Sequence, residues 1–243
     1  MPNSRKDVLN YLYEKKSNRN VQADSTEALA SLKTQLKPNR PIVVFYTMFD
    51  YECFLVPWTD KNKKERSPIF SSSLDATKLL MEMSEKNDWN LIIKYHPIFR
   101  IYQRKLEYGQ HHAIILEDFN VNDLLDISDV TVTLYSQISF ESLIRGKPVV
   151  LLGYNQMKGQ GCAYECYDKE KIESTIIKAL EQGYTERQRN KFELLSTRMM
   201  KKYMYDDLSE RDIRWGLSIE DCKNEITQAM NNQRKQKRSP IRS

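Results

Sequence analysis

Apolar and polar positions divide the middle of the chain into short and long segments that alternate. The short segments are nearly continuous in β-branched, aromatic and leucine residues, which is typical of strands buried on both faces. The longer segments carry apolar residues at helical spacing. Five strands are predicted, over PIVVFYT (41–47), NLIIKYH (90–96), AIILE (113–117), VTVTLYS (130–136) and KPVVLLG (147–153).

Helical patterns separate several of these strands and continue beyond the last one. Strands that alternate with helices indicate a parallel sheet covered on both faces. Right-handed crossovers then favour an α/β, Rossmann-like, doubly wound sheet of about five strands in the order 3-2-1-4-5, with C-terminal helices. The predicted helices cover 25–36, 74–87, 120–128, 137–145, 169–183, 185–205 and roughly 209–232.

The chain divides by pattern into three parts. Residues 1–40 are predicted to be a helical or linker extension, which KPNRP ends because proline breaks helical geometry. Residues 41–220 hold the predicted Rossmann-like domain. Residues 221–243 are predicted to be a helix end and a disordered basic tail.

The net charge of +5 comes from the end of the chain. Residues 226–243 carry five Lys and Arg and no acid, so the remaining 225 residues are formally neutral. No aromatic residues interleave with these charges, so no nucleic acid partner is expected. Weak contact between this tail and an anionic membrane surface stays open. No run reaches the roughly 20 apolar residues of a membrane span, and we expect a cytoplasmic protein, with peripheral contact at the inner face of the membrane as the further alternative.

The sequence predicts no metal site and no cofactor. Cys162 and Cys166 are four residues apart, but no second cysteine pair or nearby histidine completes a zinc ligand set. His111 and His112 precede the third strand and are interpreted as surface residues. The chain also lacks a G-x-G-x-x-G motif, a Walker P-loop and a G-x-S-x-G elbow, which argues against NAD enzymes, ATP enzymes and hydrolases.

Polar residues stand where the second and third predicted strands end. His96 and Pro97 close one strand, and Glu117 closes the next. In open α/β sheets ligands bind outside the carboxyl ends of the strands, so these side chains are candidates for one site. The histidine can donate to a phosphate oxygen or satisfy a turn carbonyl, and the glutamate can accept ribose hydroxyls or begin a helix. Lys94, on the opposite face of its strand from Tyr95, receives no role.

A second polar group lies where the fourth strand turns into a helix. Ser136, Gln137 and Ser139 stand at this turn, and Glu141 follows in the first part of the helix. Backbone N–H groups and the helix dipole make such a turn a natural phosphate site. An ordinary serine N-cap is the alternative, and Glu141 could orient the serines, reach a sugar hydroxyl or favour the helix terminus.

The loop after the fifth strand holds two of the seven glycines of the chain. Gly159 and Gly161 suggest close backbone approach to a ligand, a mobile flap or a simple turn. Tyr164 in the same loop could stack on a base or a sugar.

Three segments of the chain resemble bacterial capsule polysaccharide biosynthesis proteins, a family that includes β-Kdo transferases of the GT-B type. The segments are IIKYHP, SDVTVTLYSQISFESLIRGKPVVLLG and GQGCAYE. The resemblance implies the C-terminal, donor-binding half of a two-domain transferase, with residues 41–220 binding a nucleotide-activated sugar, often CMP-linked. His96 would contact the donor phosphate, Glu117 the ribose, and Ser136 with Gln137 the phosphate, although Gln137 stands where related sialyltransferases have a second serine.

The resemblance assigns no catalytic residue, because the acid or base usually comes from the N-terminal half. Residues 1–40 are too few for that half, which leaves three alternatives open: a split or truncated enzyme, a chain that works with a separate acceptor-binding subunit, or one that only binds the donor nucleotide. The expected partners are the sugar-nucleotide donor and a saccharide or lipid-linked acceptor. The expected function is a glycosyltransferase of capsule or surface polysaccharide synthesis. The alternatives are a CDP-glycerol-type polyol-phosphate transferase of teichoic-acid-like polymers and a non-catalytic nucleotide-binding subunit.

Overall fold

The computed structural model describes residues 26–96, 113–117 and 119–202, together with residues 224 and 227. The chain forms two compact units. One comprises Lys15–Phe192 and contains every strand described below. The other comprises Met1–Glu14 and Glu193–Ser243, and its described part is mainly helical.

A parallel sheet forms the centre of the larger unit. Its strand order is 3-2-1-4-5-6, and each pair of neighbours runs parallel. The predicted doubly wound α/β fold and the order of its first five strands are therefore confirmed. The strands are β1 (Ile42–Tyr46), β2 (Asn90–Lys94), β3 (Ile114–Leu116), β4 (Val130–Thr133), β5 (Val149–Leu151) and β6 (Tyr164–Glu165).

Helices cover both faces of this sheet. One face packs on α3 and α6 and buries Phe45, Leu80 and Ile176, and the other packs on α1, α4 and α5 and buries Val44 and Leu124. The helices are α1 (Thr26–Gln35), α2 (Asp60–Glu65), α3 (Ser73–Asn87), α4 (Val121–Ile127), α5 (Ile138–Ile144), α6 (Ile172–Gln182) and α7 (Glu186–Lys202), with a 3₁₀ turn at Lys169–Lys171. The strands are apolar along their whole length because helices exclude water from both faces of the sheet.

The structure differs from the predicted elements mainly at the ends of strands. Predicted strands 90–96 and 130–136 end at Lys94 and Thr133, two and three residues early. Beyond these residues the backbone leaves the sheet, although Tyr95, Leu134 and Tyr135 continue the pattern of strand-forming residues. Helix α2 and strand β6 were not predicted. A six-residue helix without buried residues and a two-residue strand carry too little periodicity to be recognised.

Several predictions concern residues outside the described ranges. Pro97, His111, His112 and the basic tail 226–243, apart from Thr227, are among them, as is most of the predicted helix near 209–232. The domain boundaries at residues 40 and 220 stay predictions. Within the described residues, no helix combines the length and apolar character needed to cross a membrane.

Candidate functional site at the carboxyl edge of the sheet

Thr47 organises the centre of the carboxyl edge. It follows β1, is buried, and its hydroxyl accepts a hydrogen bond from the His96 backbone N–H at 3.0 Å. The Thr47 backbone N–H donates to the Lys94 carbonyl at 3.0 Å. Two bonds therefore fix the chain leaving β2 against the end of β1. Sequence patterns missed Thr47, because its role depends on the backbone of a neighbouring strand.

His96 lies half-buried beside this junction. Its ring stacks on Phe49, with 6.5 Å between ring centroids and 20° between planes. Phe49 belongs to the loop after β1, so the imidazole is held over the end of that strand. Pro97, which closes the same predicted strand, is outside the described residues.

Glu117 follows β3 directly and its side chain is exposed. Lys94 and Leu116 are register partners, and the Tyr95 N–H donates to the Leu116 carbonyl at 2.9 Å. The Lys94 ammonium then donates to the carbonyls of Tyr95 and Glu117, at 2.7 and 3.0 Å. Glu117 and His96 therefore leave neighbouring strands at the same edge.

Ser136 lies at the turn between β4 and α5. Its N–H donates to the Thr133 hydroxyl at 3.2 Å, and its own hydroxyl accepts from the Ile138 N–H at 3.3 Å. The second contact joins residues two apart and lies one residue ahead of the N-cap position of α5. Gln137 is exposed at the N-cap position of α5 and makes no capping bond with its side chain.

Ser139 and Glu141 lie deeper than Gln137. Ser139 is fully buried, where its hydroxyl donates to the Ser136 carbonyl at 2.7 Å and accepts from the Asn155 amide at 3.1 Å. It therefore positions the turn. Glu141 is half-buried, and burial raises the pKa of its carboxyl group while Arg145 acts in the opposite direction.

Glu141 also influences Tyr46, the last residue of β1. Burial raises the pKa of the Tyr46 hydroxyl well above its usual value, and Glu141 raises that pKa further. This hydroxyl is buried and has no hydrogen-bond partner among the described residues.

The loop after β5 is held by its own side chains. Gly159 and Gly161 have φ angles of 72° and 70°, which favour glycine. The Gly159 N–H donates to both carboxylate oxygens of Glu165, at 3.0 and 2.8 Å. Tyr164 is buried in the core, and its hydroxyl donates to the Gly183 carbonyl at 2.7 Å. Because Tyr164 is engaged in this packing, its ring offers no open face for stacking on a base or sugar.

Asp50 is an acid of this edge that sequence patterns missed. It is 5% exposed, and burial raises the pKa of its carboxyl group. Its oxygens accept from the Ser73 N–H and hydroxyl at 2.8 and 2.6 Å. Asp50 thereby ties the loop after β1 to the first turn of α3. No group of three or more acidic, histidine or cysteine residues suited to a metal occurs in the described part of the chain.

Comparisons with known proteins concern this part of the chain. The family model described as "Capsule polysaccharide biosynthesis protein" matches residues 58–175. No curated protein matches at a significant level. KpsC of Thermosulfurimonas dismutans, a β-Kdo 2,4 transferase, has 18% identity and a TM-score of 0.47, and the match covers 79% of this chain and 53% of that one.

Two further structures are similar at a lower level of identity. The wall teichoic acid polymerase TagF has 14% identity and a TM-score of 0.45, with 97% of this chain and 52% of that chain covered. Spinosyn forosaminyltransferase SpnP has 13% identity and a TM-score of 0.45, with coverages of 75% and 43%. This chain thus spans about half the length of the structures it matches. Residues 58–175, which include His96, Glu117 and Ser136, are therefore similar to the family of capsule polysaccharide biosynthesis proteins.

Proposed function

We propose that the chain binds the donor nucleotide of a glycosyltransferase that acts in capsule or surface polysaccharide biosynthesis. The match of residues 58–175 to the model of capsule polysaccharide biosynthesis proteins supports the biological process. The observation that carries the proposal is the fixed backbone of the carboxyl edge, where Thr47 holds His96 and Lys94 holds the neighbouring Glu117. Ligands of open α/β sheets bind at this edge.

The proposed ligand is a CMP-linked sugar. The His96 imidazole would donate to a donor phosphate oxygen, and the exposed Glu117 carboxylate would accept ribose hydroxyls. His96 and Ser136 follow strands that flank β1, so roughly 10 Å separates their backbone positions, two strand spacings of about 4.8 Å. A nucleoside phosphate is long enough to span this distance.

Ser136 and Gln137 would face the phosphate from the other side of β1. The Ser136 hydroxyl already accepts from the Ile138 N–H, so its remaining donor is what a phosphate could use. Gln137 is exposed at the same turn and can donate through its amide. Ser139 and Glu141 would support the turn from below rather than touch the donor.

Catalysis would depend on positioning the donor and stabilising its leaving phosphate. The acceptor would be a saccharide or a lipid-linked saccharide, and its binding surface would come from a separate subunit or a further domain. Gly159 and Gly161 would border the donor as a loop braced by Glu165. None of these residues is assigned as a catalytic acid or base.

Calorimetry of the purified chain with CMP, CDP, UDP and CDP-glycerol tests the proposal. CMP is expected to bind in the micromolar range, and His96→Ala is expected to weaken it at least tenfold, the loss typical of a hydrogen bond to a charged group. Asp129→Asn is the matched control. Asp129 accepts from the Ile42 N–H at the opposite edge of the sheet, so its replacement should leave CMP affinity unchanged.

Other outcomes of the titration would change the proposal in defined ways. A preference for CDP-glycerol would favour a polyol-phosphate transferase, and a preference for UDP would contradict a CMP-linked donor. CMP binding without sugar transfer, until a partner protein is added, would identify the chain as one part of a split transferase. Failure of all four ligands to bind would contradict donor binding altogether.

A further inference from the structure

Lys94 is the least expected feature of the carboxyl edge. It is the last residue of β2, and only 4% of its surface is exposed. Lysine is rarely buried to this degree, because removing an ammonium group from water is costly unless strong hydrogen bonds replace the lost hydration. Its burial therefore needs an explanation in the local contacts.

Those contacts join the ends of two strands. The ammonium group donates to the carbonyl of Tyr95, which follows β2, and to the carbonyl of Glu117, which follows β3. The N–O distances are 2.7 and 3.0 Å, which are typical of charge-assisted hydrogen bonds. Both carbonyls belong to residues just beyond regular strand pairing, where the next residues leave the sheet.

The two bonded carbonyls immediately adjoin the proposed ligand-binding groups. Tyr95 precedes His96, whose N–H is bonded to the Thr47 hydroxyl, and Glu117 is itself the proposed ribose acceptor. A shift at either carbonyl would therefore move one side chain relative to the other. The ammonium group links both carbonyls, in addition to the backbone bond from the Tyr95 N–H to the Leu116 carbonyl.

We propose that Lys94 is a positioning residue that sets the distance between the phosphate-binding and ribose-binding groups of the donor site. This inference rests on the proposed function, and it adds a specific residue and a specific mechanism to it. Lys94 acts through the backbone of Tyr95 and Glu117 and does not itself need to touch the nucleotide.

The chain contains a matched control for this role. Lys147 precedes β5, and its ammonium group also donates to two backbone carbonyls, those of Asp126 and Ser128, at 2.8 and 2.9 Å. Asp126 and Ser128 precede β4, so this second lysine bridge lies at the amino edge of the sheet. The two bridges have the same chemistry at opposite ends of the strands. Only Lys94 adjoins the proposed site.

The test compares Lys94→Met with Lys147→Met by CMP calorimetry and by thermal unfolding. Both variants should lower the unfolding temperature, since each removes two hydrogen bonds to carbonyls. Only Lys94→Met should weaken CMP binding, by about tenfold, which corresponds to the loss of one charge-assisted bond. A shorter variant, Lys94→Gln, cannot span both carbonyls and should weaken binding at least threefold if Lys94→Met does not fold.

Three results would overturn the inference. One is wild-type affinity for CMP in the folded Lys94 variants. Another is an equal loss of affinity in Lys147→Met, which would mean that binding merely follows stability. The third is wild-type protein that does not bind CMP, which contradicts the proposed function as well. The first two results, obtained with wild-type protein that binds, contradict the positioning role alone.

Discussion

The two edges of the parallel sheet use polar residues differently. At the amino edge, side chains close the loops: Asn90 bonds to the backbone of Lys37 and Arg40, and Asp129 accepts from the Ile42 N–H. At the carboxyl edge, the side chains of Thr47 and Lys94 close the backbone in a similar way.

The difference is that the carboxyl edge also carries polar side chains that are exposed or half-buried. Glu117 and Gln137 are exposed, and His96 is half-buried on Phe49. Polar residues at strand ends are therefore not equivalent. The buried ones stabilise the fold, and the exposed or half-buried ones are available to a ligand. Variants at the two edges should separate stability from ligand binding.

The largest effect on stability is expected at Gly153, where β5 leaves the carboxyl edge. A Cβ atom there would lie 2.8 Å from the Leu134 carbonyl oxygen and 2.9 Å from the Arg66 carbonyl oxygen. Because both neighbours are backbone atoms, Gly153→Ala should lower the free energy of unfolding by about 3 kcal/mol. Urea unfolding measures this. Gly159→Ala is the control, since no atom lies near its added Cβ, and its positive φ should cost only about 1 kcal/mol. Equal losses in the two variants would contradict the account.

A smaller loss is expected from Asn90→Ala at the amino edge. The Asn90 side chain makes three hydrogen bonds to the backbone of Lys37 and Arg40. Their removal leaves buried groups unpaired and should cost about 2 kcal/mol in urea unfolding. CMP affinity should not change, because the proposed ligand-binding residues His96, Glu117 and Ser136 lie at the carboxyl edge. If Asn90→Ala also weakened CMP binding, the claim that only the carboxyl edge binds the ligand would be contradicted.

Thr47→Val sharpens the comparison from the carboxyl side. Valine keeps the shape of threonine and removes the acceptor of the His96 N–H. We expect a stability loss of about 1 kcal/mol, half that of Asn90→Ala, together with a CMP affinity about threefold weaker. Calorimetry and urea unfolding of the same preparations measure both values. Unchanged CMP affinity in Thr47→Val would show that the His96 backbone needs no such support.

The smallest effect is a pH dependence from Asp50. Burial raises the pKa of this carboxyl group, so the folded state binds the proton more tightly than the unfolded state does. The free energy of unfolding should therefore fall as the pH rises from the usual carboxyl range through the raised pKa. Asp50→Asn lacks this contribution. The stability of wild type relative to Asp50→Asn should thus decline with rising pH, and a constant or growing difference would contradict a raised pKa.

The sequence predicted the sheet well and its edges less well. Runs such as VVF in β1 and LII in β2 are continuous because both faces are buried, and this signal is strong in a single sequence. The ends of strands depend on where backbone pairing stops, which the residue pattern does not encode. For that reason the predicted second strand continued through His96, although pairing ends at Lys94.

The residue pattern likewise predicted only part of the candidate site. His96, Glu117 and Ser136 were recognisable because polar residues interrupt apolar runs at the ends of strands. Thr47 was hidden inside the first predicted strand, and Lys94 could not be assigned, because each acts on the backbone of another strand. Such contacts follow from strand order and register, which become known only when the chain is folded.

The most direct test of the central claim is an NMR titration of ¹⁵N-labelled protein with CMP. The account predicts that amide shifts change most at His96, Glu117 and the turn beginning at Ser136, and stay small at the amino-edge residues Ile42 and Asn90. Changes centred on the amino edge, or no changes at saturating CMP, would contradict the claim that the carboxyl edge binds the donor nucleotide.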